Sequence, residues 1–296
     1  MRRIVVCGAV AAMITAASAC ATGHSNAKPG PADTISGSDS AVVAPTAPAG
    51  LFLAIPLPLD AYGRTSSQLA NLTAAFNILD HKCMKAEGYD YPPAQFLRPQ
   101  QIPATSANFM RYGEDTDQAA DLSRSDFGYY QTGHRGDPDP TLSMSQAEHV
   151  AQFGKPGGKP GGCAQQASDQ LSANGGDYAQ PAVTVGNLDR QSFLASLEDS
   201  RVKEVIASWS ACMRGRGYAV ESPVGTHTNV FEWQHDERLA DVACKRQVDL
   251  IRVWSGVETE IQKRSIDENA QALDLEKQRW ETTVRNSASV IATSGH

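Results

Sequence analysis

Apolar residues recur at helical spacing in two separate stretches of the chain. The first stretch contains Leu69, Leu72, Phe76, Leu79 and Cys83, and the second contains Leu194, Leu197, Val205, Trp209 and Cys212. In both stretches the intervals match turns of an α-helix, so the residues share one face. Each stripe ends in nearly the same phrase, "CMKAEGY" and then "CMRGRGY". A glycine in this place can adopt the left-handed conformation that closes a helix, with the tyrosine as its apolar partner. The pattern therefore predicts two helices capped by Gly88 and Gly217.

A second helical stretch with its own cysteine follows each of these helices. "GGCAQQASDQL" around Cys163 and "DVACKRQVDLI" around Cys244 share the spacing Cys-x-x-Gln. Four cysteines allow three connectivities, and the repeat selects Cys83 with Cys163 and Cys212 with Cys244. Zinc is the competing interpretation, but the sequence has no Cys-x-x-Cys pair and every spacing is long. We therefore expect two tandem helical hairpins, each closed by a disulfide, and no metal.

The last part of the chain predicts one long helix. From His235 onward there is no proline, and before Gly295 near the end of the chain there is one glycine, Gly256. A heptad-like seam runs through Leu239, Ala243, Leu250, Trp254, Val257 and Ile261, and resumes in a shifted phase with Ile266, Ala270, Leu273, Trp280 and Val284. A continuous helix here would have about 50 residues and a length of ~75 Å. Its first half should pack on the second hairpin. Its second half either folds back or projects, or residues 256–290 form a coiled-coil docking surface for an envelope protein or a second copy of the chain.

A long insert with many turn residues lies between Pro92 and Gly162. Its aromatic residues allow two interpretations: a cap on the first hairpin, or a ligand surface around residues 105–135 that uses Tyr112, Tyr129 and Tyr130. The insert also contains an acidic run, Glu114, Asp115, Asp117 and Asp121. This run lacks the glycine and the distal glutamate of a calcium loop, so we expect a solvated face.

The chain opens like a secretory signal. Two arginines precede a short apolar run and the sequence Ala17-Ser18-Ala19, so residues 1–19 are predicted to be removed before Cys20. An Ala-x-Ala peptidase site and a lipidation site share this bond, and Ala17 stands where a lipidation site prefers leucine. Cysteine parity favours lipidation, because the mature chain has five cysteines and a spare thiol is a liability in an oxidising compartment. We therefore expect lipid chains such as palmitate on Cys20, which anchor the protein to the outer face of the cell membrane.

Residues 20–50 are rich in glycine, serine, proline and alanine, so they predict a disordered tether. The apolar segment "LFLAIPLPL" that follows is broken by Pro56 and Pro58, and we expect it to lie extended across the folded body. Loss of residues 1–19 leaves 24 basic and 33 acidic residues, a formal charge of −9. This charge argues against nucleic acid as a partner.

Together these patterns predict a mainly α fold. A first helical module with a long irregular insert occupies residues 51–186, and a second module with the long C-terminal helix occupies residues 187–296. The phrases "CMKAEGYDYP", "GGCAQQA", "CMRGRGY" and "ADVACKRQVDL" resemble a group of secreted actinobacterial lipoproteins. The resemblance covers most of residues 51–280 and implies an architecture and a location, with no catalytic residues.

The sequence contains none of the common catalytic motifs. There is no His-Glu-x-x-His, no Gly-x-Ser-x-Gly and no penicillin-type Ser-x-x-Lys set, and the histidines are scattered singly. We therefore expect a non-catalytic envelope lipoprotein without a cofactor, acting as an interaction or accessory factor. A lipoprotein that binds a small ligand in the insert is the alternative, and a hydrolase is a remote one.

Overall fold

The computed structural model describes residues 48–98, 108–132, 140–158, 161–178, 183–224 and 233–295. The predicted signal sequence, Cys20 and all of the tether before residue 48 lie outside these ranges. As predicted, the described part is mainly α-helical, and it contains no strand. Its helices are α1 (Ser66–Ala86), α2 (Asp117–Ala120), α3 (Arg124–Thr132), α4 (Gln146–Phe153), α5 (Gly162–Leu171), α6 (Val183–Glu198), α7 (Ser200–Gly215), α8 (His235–Val248) and α9 (Leu250–Thr293). Within the same ranges, no helix is long and apolar enough to cross a membrane.

Two disulfides join helices in the predicted pairs. Cys83–Cys163 connects α1 to α5, and Cys212–Cys244 connects α7 to α8, with Cα–Cα distances of 5.4 and 5.7 Å. The linked cysteines are 80 and 32 residues apart in sequence. By the loss of loop entropy in the unfolded chain, such links stabilise by at most about 4.5 and about 3.7 kcal/mol. The repeated Cys-Met phrase is therefore the start of a covalent hairpin in both halves.

Both glycines of the repeat close their helices in the same way. Gly88 and Gly217 have φ values of 93° and 95°, in the left-handed region. Tyr89 N–H donates to the Met84 carbonyl at 2.9 Å, and Tyr218 N–H donates to the Met213 carbonyl at 3.0 Å. Together with the glycine N–H bonds to Lys85 and Arg214, these form a Schellman cap at each helix end.

The segment before α1, which we call the strap (residues 51–57), lies across the body. Proline at positions 56 and 58 blocks a regular helix until a short 3-10 turn at Pro58–Tyr62. The apolar side chains Leu51, Phe52, Ile55, Leu57 and Leu59 are all buried. This agrees with the extended segment that the sequence predicts.

The long C-terminal helix is interrupted once. Asp249 adopts a left-handed conformation, φ 58° and ψ 36°, and separates α8 from α9. We call this joint the elbow. Gly256, the glycine within the predicted helix, lies inside α9, which runs unbroken for 44 residues or about 66 Å.

Helix α9 packs against both halves of the chain. Near its start, Trp254 and Val257 join the main core with Trp209 and Met213 of α7. Further along, Leu273 packs with Leu59 and Leu188. Trp280 packs with Leu72, Ala75 and Leu171. The apolar seam of the second half of α9 is thus covered by α1, α5 and α6 of the same chain.

Candidate site at the elbow between helices 8 and 9

A cavity of about 520 Å³ opens beside the elbow. It is lined by strap residues 53–56, by Asp115 and Thr116 of the insert, and by side chains of the elbow between Lys245 and Ser255. The strap supplies mostly apolar surface, and the elbow supplies charged side chains. Three segments that are distant in sequence therefore form one concave site.

Five ionisable side chains are buried beneath this cavity. We call them the buried charge cluster: Glu114, Asp115, Arg238, Asp241 and Lys245. None is more than 7% exposed, and burial of charge on this scale requires partners.

Both cations of the cluster are fully engaged in the core. Arg238 forms an ion pair with Glu114 and also donates to the carbonyl groups of Leu122 and Ala119. Lys245 Nζ donates to Asp241 Oδ2 at 2.7 Å and to the Glu114 carbonyl at 2.9 Å. Insert and α8 are thus joined by buried, charge-assisted hydrogen bonds.

Asp115 has no cation of its own. Its Oδ2 accepts the Leu53 N–H at 3.2 Å, which ties the strap to the insert. Its Oδ1 is buried and accepts no hydrogen bond of normal geometry, although the backbone N–H groups of Met110 and Asp115 lie near enough to favour the ionised carboxylate. Asp115 is one of the residues that line the cavity, and no basic side chain among the described residues forms an ion pair with its carboxylate.

The cluster contains three carboxylates and two cations, so its formal charge is −1 when all five groups are ionised. Burial raises the pKa of Glu114, Asp115 and Asp241, while Arg238 and Lys245 oppose this shift. A second carboxylate oxygen, Glu114 Oε2, is also buried without a partner. The cluster therefore favours the uptake of one positive charge, either a proton or a bound cation.

A glycine allows the insert to approach Lys245 this closely. Gly113 has φ 83°, and a Cβ atom there would lie 2.4 Å from the Pro223 carbonyl oxygen and 2.6 Å from Lys245 Nζ. Both the backbone conformation and the contact exclude a side chain.

The expectation of a solvated acidic run is wrong for its first half. Glu114 and Asp115 are buried, because α8 places Arg238 and Lys245 against them. The second half does face solvent: Asp117 pairs with Arg246, and Asp121 pairs with His235.

The sequence did not predict that Arg238 and Lys245 are buried, because the buried face of α8 differs from the predicted apolar seam. Leu239 and Ala243 are half-buried, whereas Arg238, Asp241 and Lys245, spaced by three and four residues, lie in the interior. The position of Cys244 could have predicted that these side chains are buried. A cysteine bonded to α7 must face inward, which brings the neighbouring positions 241 and 245 inward as well.

The three tyrosines of the predicted ligand surface do not come together. Tyr112 is fully buried, donates to Glu258 Oε2 at 2.8 Å and packs on Trp254, so it belongs to the main core. Tyr130 packs on Phe52 of the strap, and Tyr129 packs on Tyr130. Tyr130 thus packs on the strap, and none of the three tyrosines lines the elbow cavity.

Glu258 organises a second buried network, which is closed to ligands. It is fully buried and forms an ion pair with Arg111, which also pairs with Asp189 at 2.9 Å. Ser192 Oγ and Gln262 Nε2 donate to the same carboxylate. With both oxygens satisfied, this network fixes the insert against α6 and α9.

Two carboxylates line the elbow cavity. Of the two carboxylates that line it, Asp249 is exposed and paired with Arg252, and only Asp115 is buried. Two-carboxylate hydrolysis needs both groups flanking the substrate bond, one of them as a buried acid. In the ranges that the structure describes, no group of three or more histidine, cysteine or acidic side chains is placed to hold a metal ion.

Comparison of the chain with protein-family models, with curated proteins and with solved structures found no match.

Proposed function

We propose that this protein is a non-catalytic lipoprotein of the cell envelope that binds a small ligand in the elbow cavity. The observation that carries the proposal is the buried Asp115 carboxylate, which lines the cavity with one oxygen unpaired. Apolar walls with a few placed polar groups, in a volume of about 300–1,000 Å³, are typical of small-molecule sites.

Residues 105–135 contribute to this site in a different way from the one expected. They supply Asp115 and Thr116 to the cavity, while Phe109 and Tyr130 pack on the strap. The ligand-binding alternative is therefore supported at the elbow cavity, next to the surface that the sequence predicted.

A partner surface along residues 256–290 gains less support. Leu273 and Trp280, which the sequence offered as docking residues, are covered by the chain's own helices. A protein partner or a second copy would have to use the polar face of α9, where Leu275 is 48% exposed.

Three arguments support the anchor. The sequence has the three parts of a secretory signal before Cys20. Four of the five cysteines of the mature chain are consumed by disulfides, so Cys20 is the one left for another modification. The resemblance to secreted lipoproteins points to the same extracytoplasmic location.

Anchoring is tested by growing cells on an alkyne-labelled palmitate analogue. We expect label on the wild type and its loss in Cys20→Ala, which should leave the membrane fraction. Equal labelling of both, or none in the wild type, contradicts the anchor.

Ligand binding is tested by purifying the protein from its native membranes under mild conditions and identifying co-purifying small molecules by mass spectrometry. Ser255→Trp, which places a large side chain at the cavity wall, should lose any specific compound. Control variant Leu275→Trp adds the same side chain on the same helix away from the cavity, and should keep it. Identical profiles for wild type and Ser255→Trp would contradict the proposal.

A further inference from the structure

The charges around the elbow cavity indicate which kind of ligand it can take. Two arginines line the cavity, but Arg246 pairs with Asp117 and Arg252 pairs with Asp249. Lys245 is held by Asp241. Each lining cation thus has its own carboxylate, and Asp115 remains as the lining carboxylate that no basic side chain pairs with among the described residues.

An anionic ligand would add charge to a site that already has an excess carboxylate. A neutral ligand could fill the volume but would leave the buried Asp115 uncompensated, which is costly in a low-dielectric interior. A cation removes the excess and supplies the missing donor.

The shape of the site favours an organic cation. Leu53, Ile55 and Pro56 of the strap and Ile251 of α9 give apolar walls to the cavity that Asp115 also lines. A bare metal ion needs several oxygen ligands around it, which this cavity does not offer. A primary ammonium group on a short hydrocarbon body matches both features.

We infer that the elbow cavity takes a small organic cation, a protonated amine with a short apolar body, whose ammonium group pairs with the Asp115 carboxylate. This inference rests on the proposed function and names the ligand class of the same site. The strap covers the apolar body, and its Leu53 N–H holds the other carboxylate oxygen in place.

A proton competes with such a ligand. Burial raises the pKa of Asp115, so on acidification this carboxylate takes up a proton and loses the charge that would attract the amine. An alkylammonium ion stays charged throughout the neutral range, and its affinity should therefore fall as the pH is lowered.

The test is a calorimetric titration of the purified protein with n-hexylammonium, n-hexanol and n-hexanoate at neutral pH. We expect hexylammonium to bind, and to bind about 10-fold or more weakly to Asp115→Asn, because a charge-assisted hydrogen bond is lost. Asp121→Asn removes an acid of the same insert that does not line the cavity, and should bind as the wild type does. Ser255→Trp should abolish binding while Asp115 is left intact, which covers the case that Asp115→Asn folds poorly.

Each result decides the matter. Hexanol or hexanoate binding that Ser255→Trp abolishes, with no signal from hexylammonium, overturns the cationic ligand and leaves the cavity as a binding site. Equal hexylammonium affinity in the wild type and in a folded Asp115→Asn also overturns it. If none of the three probes binds, the inference is overturned. If, in addition, no small molecule co-purifies with the protein from its native membranes, the proposed function is overturned as well.

Discussion

Asp80 and Gln152 form a buried pair whose hydrogen bonds indicate a protonated carboxyl. Asp80 lies on α1 and is 1% exposed, and Gln152 on α4 donates through Nε2 to its Oδ2 at 2.6 Å. The two remaining atoms, Asp80 Oδ1 and Gln152 Oε1, are buried without partners. An acid–amide pair would join them by the proton of a neutral carboxyl. Burial accordingly raises the pKa of Asp80 to about 6, against the lowering effects of Gln152 and the neighbouring His81.

Asp80→Asn should make the protein more stable than the wild type at neutral pH. In the folded chain the carboxyl keeps its proton up to about pH 6, whereas in the unfolded chain it loses the proton near its ordinary pKa of 3.8. Folding therefore takes up a proton between these values, and stability is lost as the pH rises through them. Asparagine can make both bonds to Gln152 without titrating. We expect its advantage to grow across this window to about 3 kcal/mol, as urea unfolding at several pH values would measure.

Asp90→Asn is the matched control, since Asp90 is an exposed acid near the same histidine, His81. The half-buried Tyr178 interacts with Asp80 from the segment after α5, and its own pKa is raised to about 12, chiefly by burial, so it stays neutral across the window. A wild type and an Asp80→Asn variant with parallel pH profiles would show that Asp80 is ionised in the fold.

Residues with a local signature were predictable, and residues defined by a distant contact were not. Gly88 and Gly217 act within one turn of their own helices, so a phrase of seven residues was enough to place them. Tyr112 was considered for a ligand surface because it is one of several aromatic residues in a long insert. Its actual surroundings, Glu258 and Trp254, lie more than 140 residues away on α9.

At the scale of the element, α9 is a core helix along its whole length. The spacing of its apolar residues beyond Gly256 predicted a helix but did not show what packs against it. A coiled-coil surface open to another chain was therefore one interpretation. The structure instead places α1 and α5 against Trp280, with the Arg64 guanidinium 3.9 Å from the centre of the ring.

Trp280→Ala should therefore cost about 3–5 kcal/mol of unfolding free energy, as expected when a large buried side chain leaves a cavity. Leu275→Ala changes a residue on the same helix that is 48% exposed, and should alter stability by no more than about 0.5 kcal/mol. Denaturant unfolding followed by circular dichroism measures both. Near-equal, small effects would mean that the second half of α9 is free of the body and open to a partner.

For the long insert, the sequence pattern did not predict which helices it contacts. Turn residues and acidic side chains predicted a loose, solvated excursion, which is what composition alone supports. The insert instead places Glu114 against α8 and Arg111 against α6 and α9, since these helices carry the complementary charges. Ion pairs between residues 78 to 147 positions apart leave no trace in the local spacing.

At the scale of the whole molecule, the insert and the strap fasten the first half of the chain to the second. Asp115 holds the strap, and Arg238 and Lys245 hold the insert. The elbow cavity therefore lies where these contacts bring the strap, the insert and the elbow together. The same contacts that define the candidate site thus contribute to global stability. They also explain why the site was not evident when the two hairpins were treated separately.

The excess carboxylate in the buried charge cluster predicts unequal effects for the two sides of one ion pair. Arg238→Met leaves three buried carboxylates with Lys245 alone, and should cost about 3–5 kcal/mol of unfolding free energy, as expected for an uncompensated buried charge. Glu114→Gln loses the same ion pair but brings the cluster to neutrality, with Asp115 and Asp241 opposite Arg238 and Lys245. We expect it to cost less than half as much, and the double variant to recover part of the loss of Arg238→Met. Urea unfolding of the three variants at neutral pH completes the cycle. Equal losses for the two single variants would show that the cluster carries no net charge in the folded protein, and the basis for a cationic ligand at the elbow would then be removed as well.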